Sequence, residues 1–262
     1  MNGLIDRAAS ILARSRRAAA LTGAGISRES GIPTFRDEDG IWGKYRPEDL
    51  ATLEGFLADP GLVWRWYMER LFTARTKKPN PGHYALARLE KILPRLVLVT
   101  QNIDDLHRKA GSCDIVELHG NIEKFRCLEA AHPAVYDPDW GDDPPLCGCG
   151  SIIRPGVVWF GEALPEKEIE RGYRESERCD VMLVVGTSGL VSPASLLPLE
   201  AKNAGAAVIE VNTDRSAITP LADIFLEGRS GEVLPGLVSR TEEIIRKAGG
   251  DLYSDPEAPA DL

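Results

Sequence analysis

The residues most suggestive of chemistry are two glycines that follow a short apolar run at 18–21. Gly23 and Gly25 lie two residues apart and lead into a polar loop. Glycine at the end of a buried strand lets backbone amides approach a phosphate, because no Cβ stands in the way. The spacing departs from the dinucleotide-binding fingerprint, since Arg28 occupies the place of its third glycine and no strand precedes the acidic residue Asp37. The glycines alone are as consistent with a tight turn as with a nucleotide-binding loop.

Polar clusters follow five predicted strands, and each cluster begins within two residues of the carboxyl end of its strand. Short apolar strands alternate with helices along the chain, which predicts an α/β fold with a Rossmann-like parallel sheet and helices on both faces. In such sheets the carboxyl ends of the strands meet at one edge, where ligands bind. Five polar clusters at that edge predict a nucleotide site. The clusters are Gly23-Ala24-Gly25, Gln101-Asn102-Ile103-Asp104, His119-Gly120-Asn121, Gly186-Thr187-Ser188 and Asn212-Thr213-Asp214.

The pattern of apolar residues also predicts the order of the elements. Predicted strands lie at 18–21, 95–99, 114–118, 181–185, 206–211 and 222–226. Predicted helices lie at the start of the chain and at about 60–77, 81–92, 103–110, 165–177, 193–204 and 231–247. We assign 1–249 to one domain, with a Rossmann-like core (about 1–43, 86–122 and 152–249), a helical insert (about 44–85) and a small zinc-ribbon-like module that contains cysteines (about 123–151). The acidic segment 250–262 is predicted to be a disordered tail.

The composition of the chain excludes some classes of function. Its 262 residues carry 31 basic and 40 acidic side chains, so the net charge is −9. This charge argues against a general nucleic-acid-binding protein, because such proteins present a basic face. No apolar run approaches the roughly 18 residues that span a membrane, and residues 1–20 lack the apolar core of a secretory signal. We therefore expect a cytoplasmic monomer without nucleic-acid or membrane partners.

Six short motifs, which follow one another in the family's order, resemble those of the sirtuins, the NAD-dependent protein-lysine deacylases. The resemblance covers nearly the whole chain, from about 10 to 246, and the set is far more specific than any one motif. It implies an enzyme that cleaves the nicotinamide–ribose bond of NAD and moves the acyl group of an acylated lysine, in a protein or peptide, to ADP-ribose. The motifs are Gly23–Ser27, Gly31–Arg36, Thr100–Asp104, Leu118–Gly120, Val158–Glu162 and Gly186–Ser188.

The resemblance implies roles for single residues at the nucleotide site. His119 matches the general base that takes a proton from a ribose hydroxyl, which suits imidazole because its pKa lies near neutrality. Asn102 and Asp104 match residues around the nicotinamide ribose and carboxamide, and both are expected to be catalytic; a helix N-cap is the alternative for Asp104. Phe35 is expected to cover the nicotinamide and exclude water, the competing nucleophile. The implied NAD-binding residues are Gly23, Ala24, Gly25, Ile26, Ser27, Thr34, Phe35, Arg36, Trp42, Gln101, Asn102, Ile103, Asp104, His119, Gly186, Thr187, Ser188, Asn212, Thr213, Asp214 and Ser230.

The resemblance also implies that the substrate peptide adds as a strand between the segments 158–162 and 190–192. Backbone pairing of that kind tolerates many sequences, so the motif does not name a target protein. The residues expected to contact the peptide are Val158, Trp159, Phe160, Gly161, Glu162 and Val191.

The predicted helix at 60–77 carries a pair of residues that bears on the acyl group. Tyr67 and Arg70 are three residues apart and hence on one helix face. They resemble the Tyr-x-x-Arg pair of the desuccinylase and demalonylase branch of the sirtuins, and Ala51 matches a small residue that leaves room for a longer acyl chain. A guanidinium beside a phenol suits the terminal carboxylate of a succinyl or malonyl group. The alternative is a surface arginine beside a packed tyrosine.

The five cysteines are an odd number, and three of them fall in one loop-rich segment, which favours a metal over a disulfide in a reducing compartment. Sirtuins carry one zinc on two Cys-x-x-Cys pairs, but here Ala130 replaces one of the cysteines and the second pair is Cys147-Gly148-Cys149. The expected zinc ligands are therefore Cys127, Cys147 and Cys149, one fewer than a structural zinc requires. His132 is a candidate fourth ligand. An unidentified ligand, or a module held by packing without zinc, stays open.

Three other functions fit the same resemblance. The first is a plain lysine deacetylase, the second a mono-ADP-ribosyltransferase, and the third a non-catalytic module that senses NAD. His119 and the complete run Gln101–Asp104 argue against the third function. Tyr67 and Arg70 argue against the first two.

Overall fold

The computed structural model of the chain describes residues 2–34 and 46–249. The predictions for Phe35, Arg36, Trp42 and the tail 250–262 lie outside these ranges. The helices are α1 (Asn2–Arg14), α2 (Pro47–Leu50), α3 (Leu53–Ala58), α4 (Pro60–Thr76), α5 (Pro81–Ile92), α6 (Leu106–Lys109), α7 (Glu166–Arg178), α8 (Leu197–Asn203) and α9 (Ser230–Lys247). The strands are β1 (Ala18–Thr22), β2 (Leu96–Thr100), β3 (Ile115–Glu117), β4 (Gly120–Cys127), β5 (Pro133–Ala134), β6 (Ile153–Val157), β7 (Val181–Val185), β8 (Ala207–Asn212) and β9 (Ile224–Glu227).

Six parallel strands form the central sheet, in the order β3-β2-β1-β7-β8-β9. β2, β1 and β7 in its middle are fully buried, as expected of apolar strands in a parallel sheet covered on both faces. The last residues of these strands are in register, because Thr22 lies opposite both Thr100 and Val185. The turns that follow the three strands therefore start side by side.

Helices cover both faces of this sheet, which confirms the predicted α/β class. α9 packs against α1 and α5, and Leu12 and Leu234 share one buried cluster with the sheet residue Leu98. On the opposite face α7 packs against α8, and Leu197 shares a second cluster with Val97. Val97 and Leu98 are consecutive residues of β2, so their side chains point to opposite faces.

A second, smaller sheet has the antiparallel order β5-β4-β6, and α4 packs against it. The contact buries an aromatic cluster that includes Trp64, Tyr67, Phe125 and Trp159. The indole N–H of Trp64 donates to the Gly141 carbonyl (3.0 Å). Three aromatic side chains of the predicted helix at 60–77, those of Trp64, Trp66 and Tyr67, are thus buried in this contact, whereas Phe72 is exposed.

Two segments differ from their predicted structure. The helix expected at 103–110 covers only 106–109, because Asp105 has a φ of +63° and breaks the helical path just before Leu106. The segment 126–156 shows no periodicity in the sequence, yet it contains the end of β4 and most of β6. A bulge between Gly120 and Phe125 shifts the register of the pairing between β4 and β6, which interrupts the alternation of side chains along β4. Within 2–34 and 46–249, no helix is long and apolar enough to cross a membrane.

Candidate active site

All five polar clusters meet at the carboxyl edge of the central sheet, where side-chain amides join four of them by direct hydrogen bonds. The side-chain amide of Asn102 donates to the Gly23 carbonyl (3.0 Å). Gln101 donates to the Thr187 hydroxyl (3.0 Å), and Asn212 donates to the Thr187 carbonyl (2.9 Å). The turns after β1, β2, β7 and β8 therefore form one hydrogen-bonded surface.

Gly23, Gly25 and Gly186 allow two neighbouring turns to approach closely. A Cβ on Gly25 would lie 2.7 Å from the Gly186 carbonyl oxygen, and a Cβ on Gly23 would lie 2.8 Å from the same atom. Gly186 has a φ of +59°, which glycine adopts readily. The N–H of Gly25 donates to the Gly186 carbonyl (2.8 Å). The close packing of the two turns thus requires glycine at these positions, in addition to any role of the glycines in phosphate binding.

A buried carboxylate, Asp104, lies at this polar edge. Its Oδ2 accepts from the Ser27 hydroxyl (2.6 Å), and its Oδ1 accepts from the N–H of Leu106, the first residue of α6 (3.0 Å). Asn102 approaches the same serine, with its amide nitrogen 3.3 Å from Ser27 Oγ. Burial raises the pKa of Asp104, and the hydrogen bonds from Ser27 and Leu106 offset only part of this rise. Asp104 therefore accepts a backbone hydrogen bond at the start of α6, as its alternative interpretation as a helix N-cap predicts. It also lies at the polar edge.

His119 lies in the short connection between β3 and β4, and its Nδ1 is 2.9 Å from the Gln101 carbonyl oxygen. Because a carbonyl only accepts, the neutral ring carries its hydrogen on Nδ1 and keeps a lone pair on Nε2. Burial lowers the pKa of His119, although its bond to Gln101 acts in the opposite direction. The ring is therefore neutral at pH 7. Among the residues that the structure describes, none forms a hydrogen bond with Nε2, so its lone pair is available for general-base catalysis.

Sequence reasoning missed a pair of buried histidines behind the site, His83 and His107, whose ring centroids are 4.8 Å apart. His107 Nε2 is 3.0 Å from the Thr22 hydroxyl, and His83 Nε2 is 3.4 Å from the Ser27 hydroxyl. Burial lowers the pKa of both rings, to about 4 for His83. Both rings are therefore neutral and hold hydroxyls of the polar edge. Their partners are 85 and 56 residues away in the chain, so no local motif shows these contacts.

The resemblance implies contacts with the adenosine half of NAD from Thr187 and Ser188, which follow β7, from Asn212, which ends β8 and precedes Thr213 and Asp214, and from Ser230. Asn212 Oδ1 accepts from the N–H of Thr213 (3.0 Å). Ser230 begins α9, and its hydroxyl donates to Glu29 (3.2 Å). The exposed members of the group are Ser188, Thr213 and Asp214.

Two of the predicted cofactor residues have side chains that pack in apolar clusters. Ile26 is fully buried in the cluster that contains Leu98. Ile103 packs against the aromatic cluster, and its carbonyl accepts from the N–H of Ile122 (2.9 Å). Thr34 is half-buried at the end of the first described range.

The segment 158–162 connects the histidine to the helical part of the molecule. The N–H of Val158 donates to the His119 carbonyl (2.9 Å), and the N–H of Phe160 donates to the Ala51 carbonyl (2.8 Å). Phe160 and Gly161 are exposed, and Val191 is half-buried. A cavity of about 600 Å³ lies here, and its lining residues are Glu162, Ala163, Leu164, Glu166, Ile169, Ser192 and Pro193. The two segments expected to hold a peptide therefore border one cavity.

Tyr67 and Arg70 lie on α4 beside this segment. The Tyr67 hydroxyl accepts from the Trp159 indole N–H (3.0 Å), and the side chain is 4% exposed. The half-buried Arg70 stacks its guanidinium 3.2 Å from the centre of the Trp66 ring and donates to the Trp66 carbonyl (3.0 Å). Ala51 is buried in the same cluster as Tyr67. The three residues thus lie around one part of the aromatic cluster.

Arg154 is a buried residue of the site that the sequence analysis did not select. Its guanidinium lies 3.3 Å from the centre of the Trp159 ring and forms an ion pair with Glu162. Glu162 also accepts from the backbone N–H of Trp159 (2.8 Å). Arg154, Glu162 and Trp159 therefore form one unit that fixes the segment 158–162.

Three cysteines and a histidine form a candidate metal centre in the small sheet module. One potential ligand atom each of Cys127, His132, Cys147 and Cys149 lies within 4.8 Å of all the others. The Cys127 and Cys149 sulfurs are 3.5 Å apart, and the Cys147 sulfur is 3.8 Å from His132 Nδ1. Three thiolates and one imidazole are an established tetrahedral ligand set for zinc. The residues therefore fit zinc, with His132 at the position of the fourth ligand.

Comparison with known proteins identifies the family. A family model described as the Sir2 family matches residues 23–193. The NAD-dependent protein deacylase of Pyrococcus abyssi is 49% identical over 250 residues, which cover 93% of this chain and 100% of that protein. The NAD-dependent protein deacylase 2 of Pyrobaculum aerophilum is 50% identical over 239 residues, which cover 91% and 96%.

Solved structures share the fold along nearly the whole chain. A Sir2 homolog–NAD complex superposes with a TM-score of 0.86 at 45% identity, covering 91% of this chain and 94% of that one. Sir2Af2 bound to a myristoylated histone peptide superposes with a TM-score of 0.77 at 36% identity, covering 94% and 100%. Since the family model spans more than half of the sequence and the relatives match nearly all of it, this chain belongs to the Sir2 family, the sirtuins.

Proposed function

We propose that this chain is an NAD-dependent protein-lysine deacylase that prefers succinyl- and malonyl-lysine to acetyl-lysine. The observation that carries the deacylase part is His119, which presents an Nε2 lone pair at the polar edge of the sheet. The relatives named as protein deacylases and the neighbour with an acylated peptide support the same reaction class. The preference for acidic acyl groups is supported by Tyr67 and Arg70.

The polar edge suits a dinucleotide, because glycine turns and amide side chains from four strands converge there. Bound NAD supplies the ribose carbon from which nicotinamide departs and to which the acyl oxygen becomes attached. In this proposal the turn at 23–25 holds the phosphates, and Thr187, Ser188 and Asn212 contact the adenosine half.

His119 is the general base of the proposed reaction. Its Nε2 takes the proton of a ribose hydroxyl, and the hydroxyl oxygen is then able to receive the acyl group. The Gln101 carbonyl holds the Nδ1 hydrogen throughout, so it keeps the ring oriented and stabilises the imidazolium that forms. One water supplies the carbonyl oxygen of the transferred acyl group as the lysine nitrogen leaves, so the products are nicotinamide, the free lysine and O-acyl-ADP-ribose.

The residues around Asp104 fix polar groups beside the nicotinamide ribose in this proposal. Asp104 holds Ser27, and the Gly23 carbonyl holds the Asn102 amide. Groups that are already oriented before the reaction do not have to reorganise when charge develops. We therefore assign Asn102 and Asp104 to the catalytic machinery together with His119.

A succinyl or malonyl lysine ends in a carboxylate, which the proposal places against Arg70 and Tyr67. A guanidinium and a phenol hydroxyl both donate to carboxylate oxygens, and charge-assisted hydrogen bonds are stronger than neutral ones. Ala51 is small, so it leaves space for the longer acyl chain. Acetyl-lysine has no terminal carboxylate, so it gains nothing from this pair.

We also assign zinc to Cys127, His132, Cys147 and Cys149, in a structural role. A set of four protein ligands leaves no open coordination position, which is the arrangement of structural rather than catalytic zinc sites. The zinc would stabilise the small sheet module by joining its loops.

One assay tests the function and separates its rivals. The protein is incubated with NAD and matched acetyl-, malonyl- and succinyl-lysine peptides, and nicotinamide release and peptide mass are measured. We expect faster turnover of the succinyl and malonyl peptides and loss of this preference in the Tyr67→Phe, Arg70→Met double variant. The control makes the same two changes at the exposed residues Tyr84 and Arg65.

Each contrary outcome points to one rival. Equal or better turnover of the acetyl peptide would indicate a plain deacetylase. A peptide that gains the mass of ADP-ribose and keeps its acyl group would indicate an ADP-ribosyltransferase. NAD binding without turnover of any peptide would indicate a sensor module.

A further inference from the structure

The Tyr67 hydroxyl is buried with part of its hydrogen-bonding capacity unused. Its oxygen accepts from the Trp159 indole N–H at 3.0 Å. An indole N–H only donates, so the phenol contributes a lone pair to this bond and its own hydrogen is left for another acceptor. In the ranges 2–34 and 46–249 that hydrogen has no acceptor. A buried donor without an acceptor is unfavourable, so the hydroxyl is suited to an acceptor that arrives with a ligand.

Trp159 cannot easily turn away from this contact. It is 2% exposed. The Arg154 guanidinium covers one part of its ring at 3.3 Å from the centre, and Phe56 packs with its own ring centre 5.0 Å away. Its backbone N–H is held by Glu162. The direction of the indole N–H is therefore set by four neighbours, one of which is the Tyr67 oxygen.

The charges around Tyr67 favour an anionic acceptor. Burial has the largest effect and raises the pKa of Tyr67, so the hydroxyl keeps its hydrogen at neutral pH. The positive charges of Arg154 and Arg70 also act on this hydroxyl and oppose the negative charge of Glu162. Arg154 is already paired with Glu162. Arg70 lies about one helical turn from Tyr67 on the same face of α4, and its charge favours the same anion.

We infer that Trp159 is a specificity-positioning residue, whose indole N–H turns the Tyr67 hydroxyl hydrogen toward the carboxylate of an acidic acyl group bound beside Arg70. The inference rests on the proposed preference for acidic acyl groups and adds the residue that orients the tyrosine. Without the indole N–H, the hydroxyl is free to rotate and its hydrogen is no longer directed at the substrate. An acetyl group has no oxygen at that place, so the loss affects acidic acyl groups selectively.

The test compares kcat and KM for succinyl- and acetyl-lysine peptides in the wild type, Trp159→Phe, Tyr67→Phe and the double variant. In Trp159→Phe we expect the succinyl-to-acetyl ratio of kcat/KM to fall about tenfold, chiefly through a higher KM for the succinyl peptide. In the double variant we expect the same ratio as in Tyr67→Phe alone, because Trp159 then has no hydroxyl to orient.

A matched control separates this effect from general damage to the aromatic cluster. Trp64 is fully buried and donates its indole N–H to the Gly141 carbonyl (3.0 Å), away from Tyr67. Trp64→Phe removes an equivalent hydrogen bond and should leave the ratio within about twofold of the wild type, about 0.4 kcal/mol. Replacement of Trp159 by 3-benzothienylalanine keeps the bicyclic ring and removes only the N–H, so it tests the hydrogen bond even if Trp159→Phe is poorly folded.

The contrary outcomes are distinct. A wild type that prefers succinyl peptides, a low ratio in Tyr67→Phe and an unchanged ratio in both Trp159 replacements would overturn this inference alone. The inference would also be overturned if the falls in the succinyl-to-acetyl ratio of the two single variants multiplied in the double variant. It would be overturned as well if Trp64→Phe lowered this ratio as much as Trp159→Phe does. A wild-type ratio of one or less would overturn the inference together with the acidic preference on which it rests.

Discussion

The buried ion pair between Arg154 and Glu162 allows a quantitative prediction. The Arg154 side chain is 3% exposed, and Glu162 is its only ionic partner within the described part of the chain. The substitution Glu162→Gln removes the negative charge but keeps an oxygen that accepts from Arg154 or from the Trp159 amide. It therefore leaves a buried guanidinium without a counter-charge, which is among the most destabilising changes in a protein interior.

The expected magnitude follows from the remaining hydrogen bonds. Breaking a buried pair costs about 3–5 kcal/mol, and we expect the lower end, about 3 kcal/mol, because the glutamine oxygen still accepts. With an m-value of about 3 kcal/mol per molar urea, the unfolding midpoint should fall by about 1 M. The assay is urea unfolding followed by tryptophan fluorescence. The control Glu170→Gln changes an exposed carboxylate on α7 and should shift the free energy of unfolding by about 0.5 kcal/mol or less.

The same pair predicts a pH dependence. Burial alone raises the pKa of Glu162, but its bonds to Arg154 and the Trp159 amide, and the charge of Arg154, hold that pKa below the ordinary value of 4.5. A carboxylate whose pKa is lowered by folding stabilises the protein at pH values above its pKa in the unfolded state. This stabilisation disappears as the pH falls through its pKa in the folded state. The difference in the free energy of unfolding between the wild type and Glu162→Gln should therefore become smaller below pH 4.5. A urea unfolding midpoint of Glu162→Gln at pH 7 that is no lower than that of Glu170→Gln would refute the reasoning.

Three further predictions concern the nucleotide site and the metal centre. His119→Asn should reduce deacylation about 10²–10⁴-fold and retain NAD binding by calorimetry; because burial lowers the pKa of His119, the acid limb of kcat/KM in the wild type should lie below pH 6.5, and a limb above pH 7 would contradict this. Gly25→Ala places a Cβ 2.7 Å from the Gly186 oxygen and should destabilise the protein by about 1–3 kcal/mol in urea unfolding, whereas Gly141→Ala, with no atom within 4 Å, should not. His132→Ala should lower the zinc content measured by elemental analysis below the value for Cys113→Ala, which changes an exposed cysteine outside the cluster; equal zinc in both variants would exclude His132 as a ligand.

The sequence predicted those features that depend on neighbours along the chain. Runs such as 181–185 are continuously apolar, and the structure buries them as central strands. The convergence of the polar turns followed from the parallel order of the strands rather than from any one motif. The helix at 103–110 was predicted too long, because the φ of +63° at Asp105 cannot be read from the apolar pattern.

Contacts between distant parts of the chain could not be predicted in this way. Tyr67 and Trp159 are 92 residues apart, and no local period connects a helix with a segment beyond the second sheet. The packing of Gly25 against Gly186 is likewise invisible until both turns are placed. His132 was only one candidate ligand in the sequence, because a spacing of five residues from Cys127 does not by itself bring the two side chains together.

The short connection between β3 and β4 has a mechanical consequence. β3 belongs to the parallel sheet and β4 to the antiparallel one, and only Leu118 and His119 separate them. The imidazole therefore stands on the joint between the two sheets, and a small rotation of one sheet against the other displaces Nε2. Cys127 of the metal centre is the last residue of β4, so this strand connects the cysteine module to the joint. A change that loosens the module is therefore expected to slow proton transfer by His119. The nucleotide-binding turns of the parallel sheet are expected to remain in position.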